Sequence, residues 1–503
     1  MADAFRLAVK EDPEKFIKKI TLFDDVSLRY TIALVKGFQE AWQADQTFDW
    51  KAILSFCQRY IEAHKDDKEE KSDDFDYPQT CRDFAEKAAR LITIGSKDER
   101  RAFDTDEMIE QANGMFETVF SAFAPFERRE RKDRGAINYA INTPIGRVIQ
   151  YFFLFSLHVK RVSLQHRIVQ NWGENKYNRF FEEIDEDIDK GIYEGYIFFG
   201  RYLPNMCFLD RDWAHKKMKE INGFDVTDQR WKNFMEGYLS GSAVYKDLYA
   251  LLRTSYERAI KHKVFEDEID QNLARHITLG YLRDYEVLNE GFNGTNISDE
   301  KGLFELLLQD ASMDEKRGRW NEVVDFMWSC TDKREPNEEL KKVPPEVIEK
   351  ILAFWSWTYD KRNFVRKQLG AEGYGLFLSR ICLLILILPH VSDNKGKYKT
   401  KSWLMECAPY IEKEYHSGFF IEYLLRFTGD DDLKNIAEIY KEMLKTATPI
   451  YKEGDIEDLM RRIKNVAEND FQEIVETYGR RGQHFLRDVW EEWKKKEGKK
   501  EAK

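Results

Sequence analysis

The stretch 228–259, DQRWKNFMEGYLSGSAVYKDLYALLRTSYERA, decides the fold class. Trp231, Phe234, Met235, Tyr238 and Leu239 recur at i, i+3, i+4, i+7 and i+8, which is one apolar stripe on a helix. Asp228 stands ahead of them as an N-cap, and Ser240-Gly241-Ser242 makes a short turn. Val244, Leu248, Leu251, Leu252, Ser255 and Ala259 then continue as a second stripe. So short a turn predicts an αα-hairpin of antiparallel neighbours, neither of which can bury its face alone.

The same grammar holds further along. Asp432 opens a predicted helix with Leu433, Ile436, Ala437, Tyr440, Met443 and Leu444 on one face, ended by Thr448-Pro449. Asp455 opens another through Ile456, Leu459, Met460 and Ile463. Asp470 and Glu473 have capping-box spacing ahead of Ile474, Val475 and Tyr478, and Gly479 closes that helix. After Arg480-Arg481-Gly482, Phe485, Leu486, Val489, Trp490 and Trp493 mark a last helix. Loops are expected at 65–78, 128–142, 289–299, 331–346 and 391–401. Helix, turn, helix without strand patterning predicts an all-α fold: an irregular α-solenoid of antiparallel helix pairs, a TPR/HEAT-like superhelix. No fixed sequence period is visible. The array is expected to run over 1–503, with a bend or subdomain boundary near 289–299 and a frayed charged tail at 494–503.

Composition agrees with helices. Gly (27) and Pro (11) are scarce for 503 residues, whereas Phe (35), Tyr (24) and Trp (12) are abundant, which argues against a turn-rich β-fold. The net charge of −11 does not suit a general nucleic-acid binder, because phosphate contacts need a positive face. Cys57, Cys81, Cys207, Cys330, Cys382 and Cys407 are far apart with no CxxC, the pattern of reduced thiols in a cytoplasm. The N-terminus MADAFRLAVKEDPEKF has no apolar signal core. The most apolar run, Ile381–Leu388, falls short of the roughly 20 residues that cross a bilayer and reads as a buried helix face. A cytoplasmic protein without membrane contact is the expectation.

No catalytic signature emerges. Gly95-Ser96-Lys97 lacks the first glycine of a P-loop, and neither HExxH nor GxSxG occurs. His158 and His166 are two helical turns apart, too far to share a metal unaided. The acids at 182–189 and Asp430-Asp431-Asp432 read as a solvated face and as N-capping. Hence no enzyme, cofactor or metal is expected. Arg128, Arg129, Arg131, Lys132 and Arg134 are interleaved with acids. Lys395, Lys397, Lys399 and Lys401, with Tyr398 between, make a sharper patch that could meet phosphates or an acidic protein surface. Arg480, Arg481, His484 and Arg487 form a second one near the C-terminus. Phe152, Phe153, Phe155, Trp355 and Trp357 are assigned to the core. The remaining aromatics supply the residue types that dominate protein interfaces.

Several segments carry a family resemblance. They are Asn142-Thr143-Pro144-Ile145-Gly146-Arg147, and Tyr202-Leu203-Pro204-Asn205 followed by Leu209-Asp210 and Trp213. Trp231…Gly237-Tyr238-Leu239…Val244-Tyr245-Lys246 and Tyr478-Gly479…Gly482…Phe485-Leu486-Arg487-Asp488 complete the set. In this order, over about 100–495, they resemble the C-terminal helical-repeat region of bacterial antiviral STAND NTPases and Sir2-domain anti-phage proteins. The resemblance implies a sensor that recognises a phage protein and controls an NTPase or effector. This chain departs from the full pattern, with no Walker A, no Sir2-type pattern and no nuclease motif. It therefore reads either as a sensor fragment of a larger protein or as a stand-alone partner of a separately encoded effector. A scaffold or adaptor without immune role, and a nucleic-acid-binding array using Lys395–Lys401, are the alternatives. Thr143, Pro144 and Gly146 read locally as a cap, a first-turn proline and a close approach, and Asp210 as the cap of the helix bearing Trp213.

Overall fold

The computed structural model describes residues 1–67, 79–97, 102–123, 135–166, 194–241, 243–288, 302–309, 318–331, 343–411, 414–450 and 452–501. Among these residues the chain is all-helical, with no β-strand. It divides into two compact units, Met1–Ala243 and Val244–Lys503. The bend expected at 289–299 and the charged clusters at 128–134 and 182–189 lie outside the described residues.

In the first unit, α1 (Ala2–Glu11), α2 (Pro13–Ile17), α3 (Leu28–Gln43), α4 (Trp50–His64), α5 (Cys81–Gly95) and α6 (Asp106–Ser121) lead into α7 (Ala136–Asn142) and the long α8 (Pro144–His166). There follow α9 (Glu194–Arg201), α10 (Leu203–Leu209), α11 (Arg211–Asn222) and α12 (Gln229–Leu239). Helix α3 packs on both α1 and α5, and α4 on α6. A helix thus occupies 136–142, where a loop was expected, and Thr143–Pro144 turns the chain between two helices. Thr143 Oγ1 accepts the Gly146 amide at 3.1 Å, and Pro144 opens α8, so both residues act as read. Phe152, Phe153 and Phe155 are buried along α8.

The stripe of α12 is buried throughout, from Trp231 to Leu239. Its partner is α9, the most extensive helix contact in the unit. The unit boundary, between Ala243 and Val244, lies within the stretch read as a hairpin. Gly200 and Gly237 explain the contact. A Cβ on Gly200 would overlap the Phe234 carbonyl and stand 2.8 Å from the Tyr238 nitrogen, and one on Gly237 would overlap the Ile197 carbonyl. Only two residues without side chains let these backbones touch.

The second unit runs through α13 (Lys246–Leu251), α14 (Arg253–His262), α15 (Asp267–Leu282), α16 (Leu303–Gln309), α17 (Arg319–Thr331), α18 (Pro345–Asp360) and α19 (Arg362–Ile381). It continues with α20 (Thr400–Cys407), α21 (Glu414–Leu424), α22 (Asp430–Leu444), α23 (Glu453–Ile463), α24 (Glu468–Arg480) and α25 (Arg487–Glu501). The second predicted stripe is broken at Leu252, so it spans two helices. Packing here is regular: α15 on α17, α17 on α19, α20 on α22, α21 on α23, α22 on α24 and α23 on α25. Helix α25 continues to Glu501.

Past Ile381, the last residue of α19, the apolar run 381–388 is not α-helical. Cys382–Ile387 forms a 3-10 helix whose Cys382, Leu383, Leu384 and Ile385 are buried. Among the described residues, the helical stretch Arg362–Ile387 is long and apolar enough to cross a bilayer, with 56% of its apolar window buried inside the protein. The backbone leaves the helix at Gly370 (φ 72°, ψ 177°) within that stretch. A buried, interrupted stretch of this kind is what a core element looks like.

Candidate functional site

The lysine patch is the most specific sequence-derived candidate, and every one of its cations is paired. Lys395 Nζ reaches Asp432 on α22 at 2.6 and 2.7 Å, and Lys401 reaches Glu438 on the same helix at 2.6 Å. Lys397 meets Glu349 at 2.5 Å and Lys399 meets Asp360 at 3.2 Å, both on α18. Tyr398 is buried, and its hydroxyl donates to the same Glu349 at 2.8 Å. Lys397, and then Tyr398, hold the Glu349 carboxyl below its ordinary range. The segment 395–401 is thus a clamp tying α18 to α22, with its charge neutralised in place. Exposed ion pairs contribute little singly, so the clamp works through number and the buried tyrosine.

The double change Lys397→Glu and Lys399→Glu sets acids against Glu349 and Asp360. The expected result is a melting temperature lowered by a few degrees, with no change in oligonucleotide affinity. Thermal melting and a binding titration at two salt concentrations check both parts. A fall in oligonucleotide affinity with a steep salt dependence would instead make these lysines phosphate ligands.

The C-terminal patch divides. Arg481 donates to the carbonyls of Leu444 (2.5 Å) and Ala447 (2.8 Å) and to Thr448 Oγ1 (2.7 Å), closing the end of α22. It is a structural residue. Arg480 donates to the Thr477 hydroxyl on its own helix at 3.0 Å, and Arg487 pairs with Glu491 one turn on at 3.0 Å. Arg480, His484 and Arg487 are all exposed. Of the nine residues named from the sequence, Lys395, Lys397, Lys399 and Arg481 are exposed as well.

The aromatic surplus is mostly interior. Trp231, Trp320, Trp355 and Trp403 are among the largest fully buried side chains, and Trp357 is also buried. Among the described residues the exposed aromatics are Phe208 on α10 (49%) and Tyr245 just before α13 (51%). Sequence reasoning placed Tyr245 in a motif without an interface role and left Phe208 unmentioned. Nothing in their spacing marks them as exposed.

Buried charges are likewise structural in geometry. Arg319 on α17 forms a two-pronged bridge to Asp270 on α15, at 2.8 Å from Nη2 to Oδ1 and 3.0 Å from Nε to Oδ2. Glu286 accepts from Arg253 and from the Leu303 amide at 2.8 Å. His158 is buried, with Nε2 2.7 Å from the Phe103 carbonyl. Among the described residues no three His, Cys, Asp or Glu side chains converge to hold a metal ion. A narrow crevice between α18, α19 and α20 is lined by Trp355, Tyr359, Tyr374, Trp403, Glu406 and Cys407 and has about 10 Å³ for a water-sized molecule. That is room for about one water. Glu406 accepts the Tyr374 hydroxyl at 2.5 Å across it.

The chain matches no protein-family model, no curated protein and no solved structure.

Proposed function

We propose that this chain is a protein-binding α-solenoid without catalytic activity of its own, working in the cytoplasm as the sensor part of an anti-phage defence system. Its ligand is a phage protein, and the activity it controls belongs to an NTPase or effector, N-terminal to it or separately encoded. The observation that carries the reading is a recurrent tie between alternate helices. Arg426 donates to the Leu386 carbonyl, Arg462 to Leu425 and Arg481 to Leu444, at separations of 40, 37 and 37 residues. The Tyr440 and Tyr478 hydroxyls bond each other at 2.7 Å across 38 residues, and Lys395 reaches Asp432 across 37.

Each arginine lies at the end of one helix and satisfies the last carbonyls of the element two positions back, where unpaired acceptors and a partial negative charge gather. A contact period of about 37–40 residues is the length of a two-helix repeat. Stacked repeats present long continuous faces suited to protein recognition. The phage-sensing part of the reading rests on the ordered family resemblance over about 100–495.

Reconstitution tests the proposal. Individual phage structural and packaging proteins are mixed with the purified chain and resolved by size-exclusion chromatography. One is expected to co-elute, and Arg480→Glu with Arg487→Glu is expected to weaken that complex about tenfold, the weight of an interface arginine. An unchanged affinity removes the C-terminal patch from the interface.

A further inference from the structure

We propose that the face of the first unit built from α3, α5 and α8 binds a diphosphate group between Lys36, Lys87, Arg90 and Arg147. Helix α5 packs on α3 and on α8. Glu86 on α5 is 2% exposed, and the cations gather around its carboxylate. Lys87 Nζ bonds it, Arg147 Nη1 on α8 lies 3.9 Å from Oε1, and the Tyr151 hydroxyl donates to the same oxygen at 3.3 Å. Arg90 stands one turn on from Glu86 and Lys87 along α5. Across the contact with α3, Gln39 Nε2 donates to the Lys87 carbonyl at 2.7 Å, and Lys36 lies one turn before Gln39 on that side of α3. Four cations on three helices thus share one carboxylate. Glu40, the next acid on α3, is taken by Arg6.

Two of the four have nothing to balance them. Among the described residues the side chains of Lys36 and Arg90 make no hydrogen bond or ion pair. Arg90 is exposed, whereas Lys36 is half-buried, and burial, then the nearby Lys87, hold its ammonium below the ordinary lysine range. A half-buried cation without a counterion costs stability, and a fold keeps such a group where a ligand supplies the missing charge. The size of the imbalance sets the ligand class. One carboxylate from a partner would cancel a single charge and leave the rest of the cluster unmet. Each phosphate group carries about −1.5 to −2 at neutral pH, so two linked phosphates match the excess within one small group. Arg90 and Arg147 offer flat forks to phosphate oxygens, and Lys36 and Lys87 offer point charges. The pyrophosphate ion and the diphosphate of a nucleotide share this chemistry. Sequence reading missed the site because its cations come from three helices far apart in the chain.

Calorimetric titration of the full chain at low ionic strength tests this, with pyrophosphate, ADP and inorganic phosphate as probes. Pyrophosphate is expected to bind about tenfold or more tighter than inorganic phosphate and to raise the melting temperature as it saturates the protein. The ADP arm distinguishes the sources: affinity equal to or above that of pyrophosphate points to a nucleotide, and lower affinity to the free anion. Lys36→Gln with Arg90→Gln should weaken pyrophosphate binding about tenfold or more. Without ligand this variant should melt no lower than the wild type, since neither side chain has a partner to lose. Lys18→Gln with Lys51→Gln removes the same charge elsewhere in the unit and should bind as the wild type does. Pyrophosphate that gives neither heat nor a shift in melting overturns the proposal, as does an affinity that the Lys36 and Arg90 variant retains. A single-stranded oligonucleotide that binds through Lys36 and Arg90 and is not displaced by pyrophosphate also overturns it, and makes the face a nucleic-acid contact.

Discussion

Gly237→Ala is expected to destabilise the protein by about 2 kcal/mol or more, and Gly237→Leu to prevent the first unit from folding. The added methyl meets the Ile197 carbonyl, and the reciprocal contact of Gly200 with Phe234 leaves α9 no room to slide away. Overpacking against a movable side chain costs about 1–3 kcal/mol. Here the obstacle is backbone, so the helices must separate along their most extensive contact. Alanine's better helix propensity returns only about 1 kcal/mol of that loss. Gly479 provides the internal control. It lies within α24 with nothing near its would-be Cβ, so Gly479→Ala should stabilise by up to about 1 kcal/mol. Denaturant unfolding followed by circular dichroism separates the two. Equal effects would show that α9 and α12 are not in backbone contact.

The second large effect concerns Arg319 and Asp270, whose side chains are 8% and 20% exposed. Asp270→Ala removes the two-pronged partner of a guanidinium that is 8% exposed and should cost about 3–5 kcal/mol. Arg319→Met should cost less. The orphaned Asp270 retains some water and sits in the first turn of α15, where the helix N-terminus favours an acid. Combining the two should recover most of the loss, since the double variant buries no unpaired charge. Thermal and denaturant melts of the three variants form a double-mutant cycle. Additive losses would mean that each residue is held by other partners and the bridge is incidental.

Residues whose roles are local were readable in the sequence. Asp210 accepts the Trp213 amide at 3.0 Å and Asp228 accepts that of Arg230 at 2.9 Å, both as caps predicted from the first apolar residue of the helix. Where two local solutions competed, the reading slipped. Asp470 was placed as a cap, but α24 starts two residues earlier, and Asp470 and Glu473 instead hold Lys441 at 2.9 and 2.5 Å. Gly429 is the cap residue of α22, so the three aspartates fill its first turn and Asp432 is spent on Lys395. Gly482 rather than Gly479 reverses the chain after α24, at φ 78°. The pairing of the lysine patch was hidden for a different reason. Its acidic partners lie 37 to 49 residues away, on α18 and α22, and only the tertiary fold brings them to the lysines. The arginine ties escaped notice because they require only an arginine near a helix end. That leaves no repeated sequence for the eye, although the contact spacing is regular.

Capture from infected cells tests the central claim most directly. The full chain is expressed as bait in bacteria challenged separately with a panel of diverse phages, and bound proteins are quantified against uninfected cells. The account predicts that one class of phage-encoded structural or packaging protein is enriched with at least one phage, and that the same protein, purified, binds the chain without nucleic acid. Enrichment of no phage protein across the panel, from a bait that is folded and recovered in full, would contradict it.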